Sequence, residues 1–140
     1  METELFEVKN YSGEGYKPLV SFETWRVAVL RYMDELHPDK LDEMERHTAT
    51  DEVFILTQGM AMLVLGGNLP DVGEILPVAM NTGEIYNVKQ NTWHTIILSQ
   101  DANIVIVENA NTARENSEFA SLSTGEIRSV RSLARDFLGV

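Results

Sequence analysis

The chain has 140 residues with histidines only at positions 37, 47 and 94, and no cysteine. Strong metal ligands are therefore limited to His, Asp and Glu, and disulfides, zinc–thiolate centres, iron–sulfur clusters and cysteine nucleophiles are excluded. His47 lies in "ERHTATDEVFILTQG" (45–59), where a charged segment runs into an apolar stretch that ends at Gly59. Two neutral imidazoles and a carboxylate can ligate a divalent ion while leaving coordination positions open. A Glu52 carboxylate turned toward a core is costly unless a metal or a donor accompanies it; turned outward, it is an edge charge that discourages aggregation. His94, beside Trp93 on an apolar run, is on its own more often a hydrogen-bonded core histidine than a ligand. His37, before proline in "LHPDK", reads as a surface residue.

Strands must position these groups. Short runs rich in β-branched and aromatic residues occur at 24–33, 52–57, 60–65, 84–88, 92–98 and 103–109, separated by polar or glycine-bearing breaks. The pattern predicts an all-β sandwich or barrel, as one domain over 1–140 with its core at about 16–110. Gln58-Gly59 carries a tight-turn signal, predicting a hairpin with antiparallel neighbours ending at Thr57 and beginning at Met60. "GGNLPDVGEILP" (66–77) reads as a loop followed by a short strand. Val130, Leu133, Ala134 and Phe137 fall at helical spacing with Gly139 as a stop, so a short C-terminal helix is expected, covering an edge or open end of the barrel. "ENANTARENSE" (108–118) reads as a capped turn, with Glu108 and Asn109 as candidates for a polar rim. Strand aromatics at Trp25, Tyr32, Tyr86 and Trp93 belong more often to a core than to a pocket.

Several strands are apolar on both faces, so one face fills the interior and the other needs a second layer: the N-terminal arm, the C-terminal helix or another subunit. That surplus of apolar surface predicts a homodimer. The formal net charge of −11 argues against nucleic acid and anionic membrane surfaces as partners. No apolar run approaches the roughly 18–20 residues that span a bilayer. The opening "METELFEVKNYSGEG" lacks the basic and apolar regions of a signal peptide, which makes a cytoplasmic location the expectation.

The spacing of the ionisable residues resembles the cupin superfamily. Its first motif is His-x-His, three or four residues, Glu, six residues and Gly; Glu45, His47, Glu52 and Gly59 stand in that register. Its second motif is Gly, five residues, Pro-x-Gly, two residues, His, three residues and Asn; Gly83 and His94 match, whereas Lys89, Asn91 and Leu98 replace the proline, the inner glycine and the asparagine. Asn91 is the mildest replacement, because asparagine tolerates the left-handed turn conformation. The resemblance implies a double-stranded β-helix, or jelly roll. It also implies a divalent metal on His47, Glu52 and His94, with Glu45 as fourth ligand or nearby base; manganese, iron, zinc and nickel are not distinguished. The function implied is binding of a metal and a small polar metabolite, organic acid or sugar-like, with Glu52 or Glu45 moving a proton if the protein is an enzyme. The alternative is a non-catalytic binding or regulatory protein with a degenerate metal site, since this fold hosts many activities.

Overall fold

In the computed structural model, residues 3–140 are described. Among them the elements run β1 (Gly15–Phe22), β2 (Trp25–Arg31), β3 (Glu43–His47), β4 (Glu52–Gln58), β5 (Ala61–Leu65), β6 (Leu76–Ala79), β7 (Ile85–Val88), β8 (His94–Leu98), β9 (Asn103–Asn109), β10 (Ser117–Ser121) and α1 (Thr124–Leu138). Antiparallel pairing sorts the strands into two five-stranded sheets, β1-β2-β9-β4-β7 and β10-β3-β8-β5-β6. From β2 onward the chain passes back and forth between the sheets, with β5 and β6 the one adjacent pair that stays within a sheet. This is the jelly roll that the motif spacing implied.

All six apolar runs form strands. The predicted hairpin at Gln58-Gly59 is corrected: β4 pairs with β7 and β9 in the first sheet, and β5 pairs with β6 and β8 in the second. The turn is a crossover between layers. Glycine is required there all the same, because Gly59 has φ 77° and a Cβ at that position would sit 2.7 Å from the Ala102 Cα. A local turn signal reports positive φ, and it does not say whether the chain returns to the same sheet.

Alternation along the strands divides the apolar residues into two layers. Phe54, Leu56, Ala61, Leu63, Ile96, Leu98, Ile104 and Ile106 point between the sheets and fill one end of the sandwich. Met44, Met62, Val64 and Ile97 point out of the second sheet and are covered by Val130 and Ala134 of α1. The helix therefore covers a sheet face and not an edge or open end, because strands apolar on both sides offer it a full apolar surface. Ser123 caps α1 by accepting from the Glu126 N–H, while the Glu126 carboxylate accepts from the Ser123 N–H. Gly139, in the left-handed conformation, ends it as expected.

Candidate metal centre and cavity

Period-two alternation also places polar residues inside the other end of the sandwich. In the second sheet, β3 turns Glu43, Glu45 and His47 toward the interior and sends Met44 outward. β8 sits beside it with Glu45 opposite His94, and β10 sits on its other side with Ser117 opposite His47. In the first sheet, β4 brings Glu52 inward on the same side as Phe54 and Leu56, and β9 brings Glu108 inward on the same side as Ile104 and Ile106. Arg26 of β2 is paired with Glu108. Four of the five candidate ligands are thus buried: His47 at 8%, Glu52 at 6%, His94 at 4% and Glu108 at 6% exposure.

The centre of the arrangement is Glu52 Oε1, 3.0 Å from His47 Nε2 and 3.1 Å from His94 Nε2. The opposite ring nitrogens are held from behind. His94 Nδ1 is 2.9 Å from the Thr92 carbonyl oxygen, which can only accept, so Nδ1 carries the proton. His47 Nδ1 is 2.8 Å from Ser117 Oγ, whose own hydroxyl donates to the Ala113 carbonyl at 2.7 Å, so His47 Nδ1 donates as well. In the neutral tautomers both Nε2 lone pairs then face the cavity together with the Glu52 carboxylate. Three lone-pair-bearing atoms cannot satisfy one another without a cation or added protons. His47 Nε2 is in fact buried with no hydrogen bond of acceptable direction. These residues fit a divalent ion, with ring orientation fixed as metal-ligating histidines require.

The electrostatics agree. Burial raises the Glu52 carboxyl, but the His47 and His94 imidazoles against it outweigh that and hold the group well below the usual carboxylate range. Burial disfavours the charged form of both imidazoles, yet the Glu52 carboxylate leaves each above its ordinary value. Glu108 moves the other way: burial, reinforced by the neighbouring Glu52 carboxylate, pushes it up to about 7 despite Arg26 and Tyr16. Glu52 thus favours the protonated forms of both imidazoles and of Glu108 beside it.

Two loops tie the matched sequence segments together. Asn91, at φ 66°, takes up the left-handed turn expected of it, and its N–H donates to the His47 carbonyl at 2.9 Å. Asp51 accepts from the Gln90 N–H at 2.8 Å and from Asn87 Nδ2 at 3.0 Å, and the Gln90 amide donates to the Thr48 carbonyl. Outside the sheet, Trp93 is locked by its indole N–H on the Leu69 carbonyl at 2.9 Å and by the Arg46 guanidinium 4.3 Å from its ring. The residue before His94 is therefore immobilised.

The structure brings together His47, Glu52 and His94, with Glu45 at their margin: its carboxylate is 4.0 Å from His47 Nε2 and its side chain is 43% exposed. His37 is exposed, with Nδ1 accepting from the Asp39 N–H. Glu108 is no rim residue but part of the buried floor, while Asn109 binds the Ala49 carbonyl instead. Trp25 lies on the outside beside Phe22 and Trp93 under α1; neither they nor Tyr32 and Tyr86 line the cavity. Residues that the sequence reading missed are Tyr16, Arg26 and Ser117. Above the floor opens a cavity of about 740 Å³, walled by Leu30, Leu36, Phe54, Ile96, Ile106 and Phe119.

No family model matches the sequence, and no curated protein matches it. Solved structures do resemble the fold. A cupin-2 domain protein from Shewanella frigidimarina is 17% identical, with 71% of this chain and 84% of that one covered, at a TM-score of 0.52. Hydroquinone 1,2-dioxygenase from Sphingomonas sp. TTNP3, with 4-hydroxybenzoate bound, is 10% identical over 74% of this chain and 70% of that one, at a TM-score of 0.56. Streptomyces PAC13 with uridine, a nucleoside dehydratase, is 9% identical over 85% of this chain and 95% of that one, at a TM-score of 0.52. With its two facing antiparallel sheets and these neighbours, the chain has the cupin-superfamily fold.

Proposed function

We propose that the protein holds a divalent metal ion on His47, Glu52 and His94, with a further carboxylate, and uses that centre to bind and transform a small molecule in the cavity. The observation that carries this reading is the convergence of two imidazole nitrogens on one carboxylate oxygen within 3.1 Å, with both rings oriented from behind. A bound ion would supply Lewis acidity toward a hydroxyl or carbonyl of the ligand. Glu52 stays fixed between the imidazoles. Glu45, half-exposed on the cavity side, is placed to take up or return a proton at the bound molecule. Leu30, Phe54, Ile96, Ile106 and Phe119 give the cavity an apolar wall beside the polar floor, which suits a ligand with both polar groups and an apolar surface. Two fold neighbours hold ring compounds, 4-hydroxybenzoate and uridine.

Elemental analysis of protein purified without chelator, and again after loading with manganese, ferrous iron, zinc or nickel, tests the reading. About one equivalent of metal per chain is expected. Absence of bound metal under every loading condition would overturn it.

We also infer a homodimer formed through the outer face of the first sheet. Val27, Val53, Ile55, Val105 and Val107 lie side by side there, half-buried, and Ile85 beside them is 72% exposed. The helix α1 packs on the other sheet, and a contiguous apolar face of this kind marks an association surface. Light scattering should give twice the chain mass of 15.8 kDa, reverting to one chain mass in Ile85→Lys. A monomeric wild-type protein at micromolar concentration would remove this inference.

A further inference from the structure

We propose that Glu108 is a ligand of the metal in this site, and that Arg26 and Tyr16 are the positioning residues that hold it there. The inference rests on the metal reading above and goes beyond it, because the sequence motif points to Glu45 for the fourth place.

The geometry of Glu108 is one-sided. Its Oε2 accepts from the Tyr16 hydroxyl at 2.9 Å, from Arg26 Nε at 3.0 Å and from Arg26 Nη2 at 2.5 Å, and the Glu52 carboxyl is its neighbour on the cluster side. The guanidinium cannot follow a moving carboxylate, since Nη1 is held by the Ala110 carbonyl at 3.0 Å and Nη2 by the Thr112 carbonyl at 2.9 Å. The carboxylate is 3% exposed and pinned by one oxygen. Ligand atoms of Glu108, Glu52 and His47 lie within 4.8 Å of one another. A second buried carboxylate placed beside the first is unfavourable unless positive charge stands between them. A carboxylate pinned through one oxygen beside other ligand atoms is how outer partners orient a ligating carboxylate.

Glu45 is equally near, its ligand atom lying within 4.8 Å of those of His47 and His94, but it is held differently. It is 43% exposed, it lies 4.0 Å from His47 Nε2, and no hydrogen bond fixes its carboxylate. Glu108 adds a second negative charge beside Glu52 opposite a divalent ion, while its outer oxygen stays paired with the Arg26 guanidinium. An oxygen-rich set of this kind also favours manganese, ferrous iron or zinc over softer cuprous binding.

The test measures affinity for Zn²⁺ by competition with a chromophoric chelator in full-length wild type, Glu108→Gln and Glu45→Gln. The visible spectrum of each Co²⁺-loaded protein serves as a second readout of the ligand set. Glu108→Gln is expected to weaken Zn²⁺ binding by roughly 10–100-fold or more and to change the Co²⁺ bands, with Glu45→Gln within a few-fold of wild type. Tyr16→Phe, at a partly exposed position, should lose a few-fold by loosening the clamp. If Glu108→Gln does not fold, Glu108→Asp keeps the charge and withdraws the oxygen, and the same loss is expected. Metal bound by wild type with unchanged affinity and spectrum in the Glu108 variants would overturn this proposal alone. The opposite ranking, with Glu45→Gln the weaker, would do the same. No metal in wild type would overturn this proposal and the reading beneath it.

Discussion

Replacing His94 with alanine should lower divalent-metal affinity by more than the roughly 10–100-fold that loss of an outer partner costs. The side chain is 4% exposed, its Nδ1 proton is committed to the Thr92 carbonyl, and its Nε2 has no direction to face except Glu52 and His47. Nothing adjacent can replace it: Trp93 points to the other face of the sheet, and Thr95 and Thr92 are poor ligands. The substitution also leaves Glu52 with one imidazole partner in place of two. Breaking a buried ionic arrangement on one side costs about 3–5 kcal/mol, so the metal-free variant should also melt well below wild type. Competition titration with Zn²⁺ measures the first effect and denaturant unfolding the second. Affinity within threefold of wild type would remove His94 from the ligand set.

The sequence made the fold legible where strands were apolar and hid it where they were charged. β2, β4, β5, β7, β8 and β9 announced themselves by β-branched content. β3, with "EMERH", and β10, with "SEFAS", did not, since each turns polar residues into a cavity or leaves them on a sheet edge. Those polar strands carry His47 and the Ser117 that orients it, so the features that hid the strands are the ones that build the site. Glu52 and His94 could be picked out through the resemblance to the cupin motifs, each of which spans residues near one another in sequence. Glu108 lies 56 positions after Glu52 (108 − 52) and belongs to no such spacing. Its signal was the period of "NIVIVEN": once Ile104 and Ile106 face inward, Glu108 must as well. Arg26 is paired with it across a strand contact that only the fold supplies.

A second expected result follows from the same cluster: protein stripped of metal by chelator should lose stability as pH rises from about 5 to about 8. Glu108 is pushed up to about 7, so its protonated form is favoured in the folded state, and its contribution is full below the ordinary carboxyl value and lost as pH climbs through about 7. His47 and His94, both raised above the ordinary imidazole value, have the same sign: their contribution is full below about 6.5 and lost above their folded values. Glu52 is depressed and has the opposite sign, with a contribution present above its ordinary value and lost only in acid, so it is constant across this window. The groups facing the cluster from other strands, Arg26 and Tyr16, keep their charge states throughout. The net fall is on the order of 2 kcal/mol, the size of a shift of one to two pKa units. Denaturant unfolding of the chelated protein at pH 5.5 and pH 8 measures it. Glu108→Gln removes one titrating group, so its decline should be shallower than that of wild type, which separates the local effect from the general repulsion of an acidic chain. Zn²⁺ should flatten the wild-type decline as well, because a cation then occupies the place the protons held. Stability that is level or rising with pH in the chelated wild type, or the same slope in Glu108→Gln, would mean that the carboxyl and imidazole groups are not competing for the same missing charge.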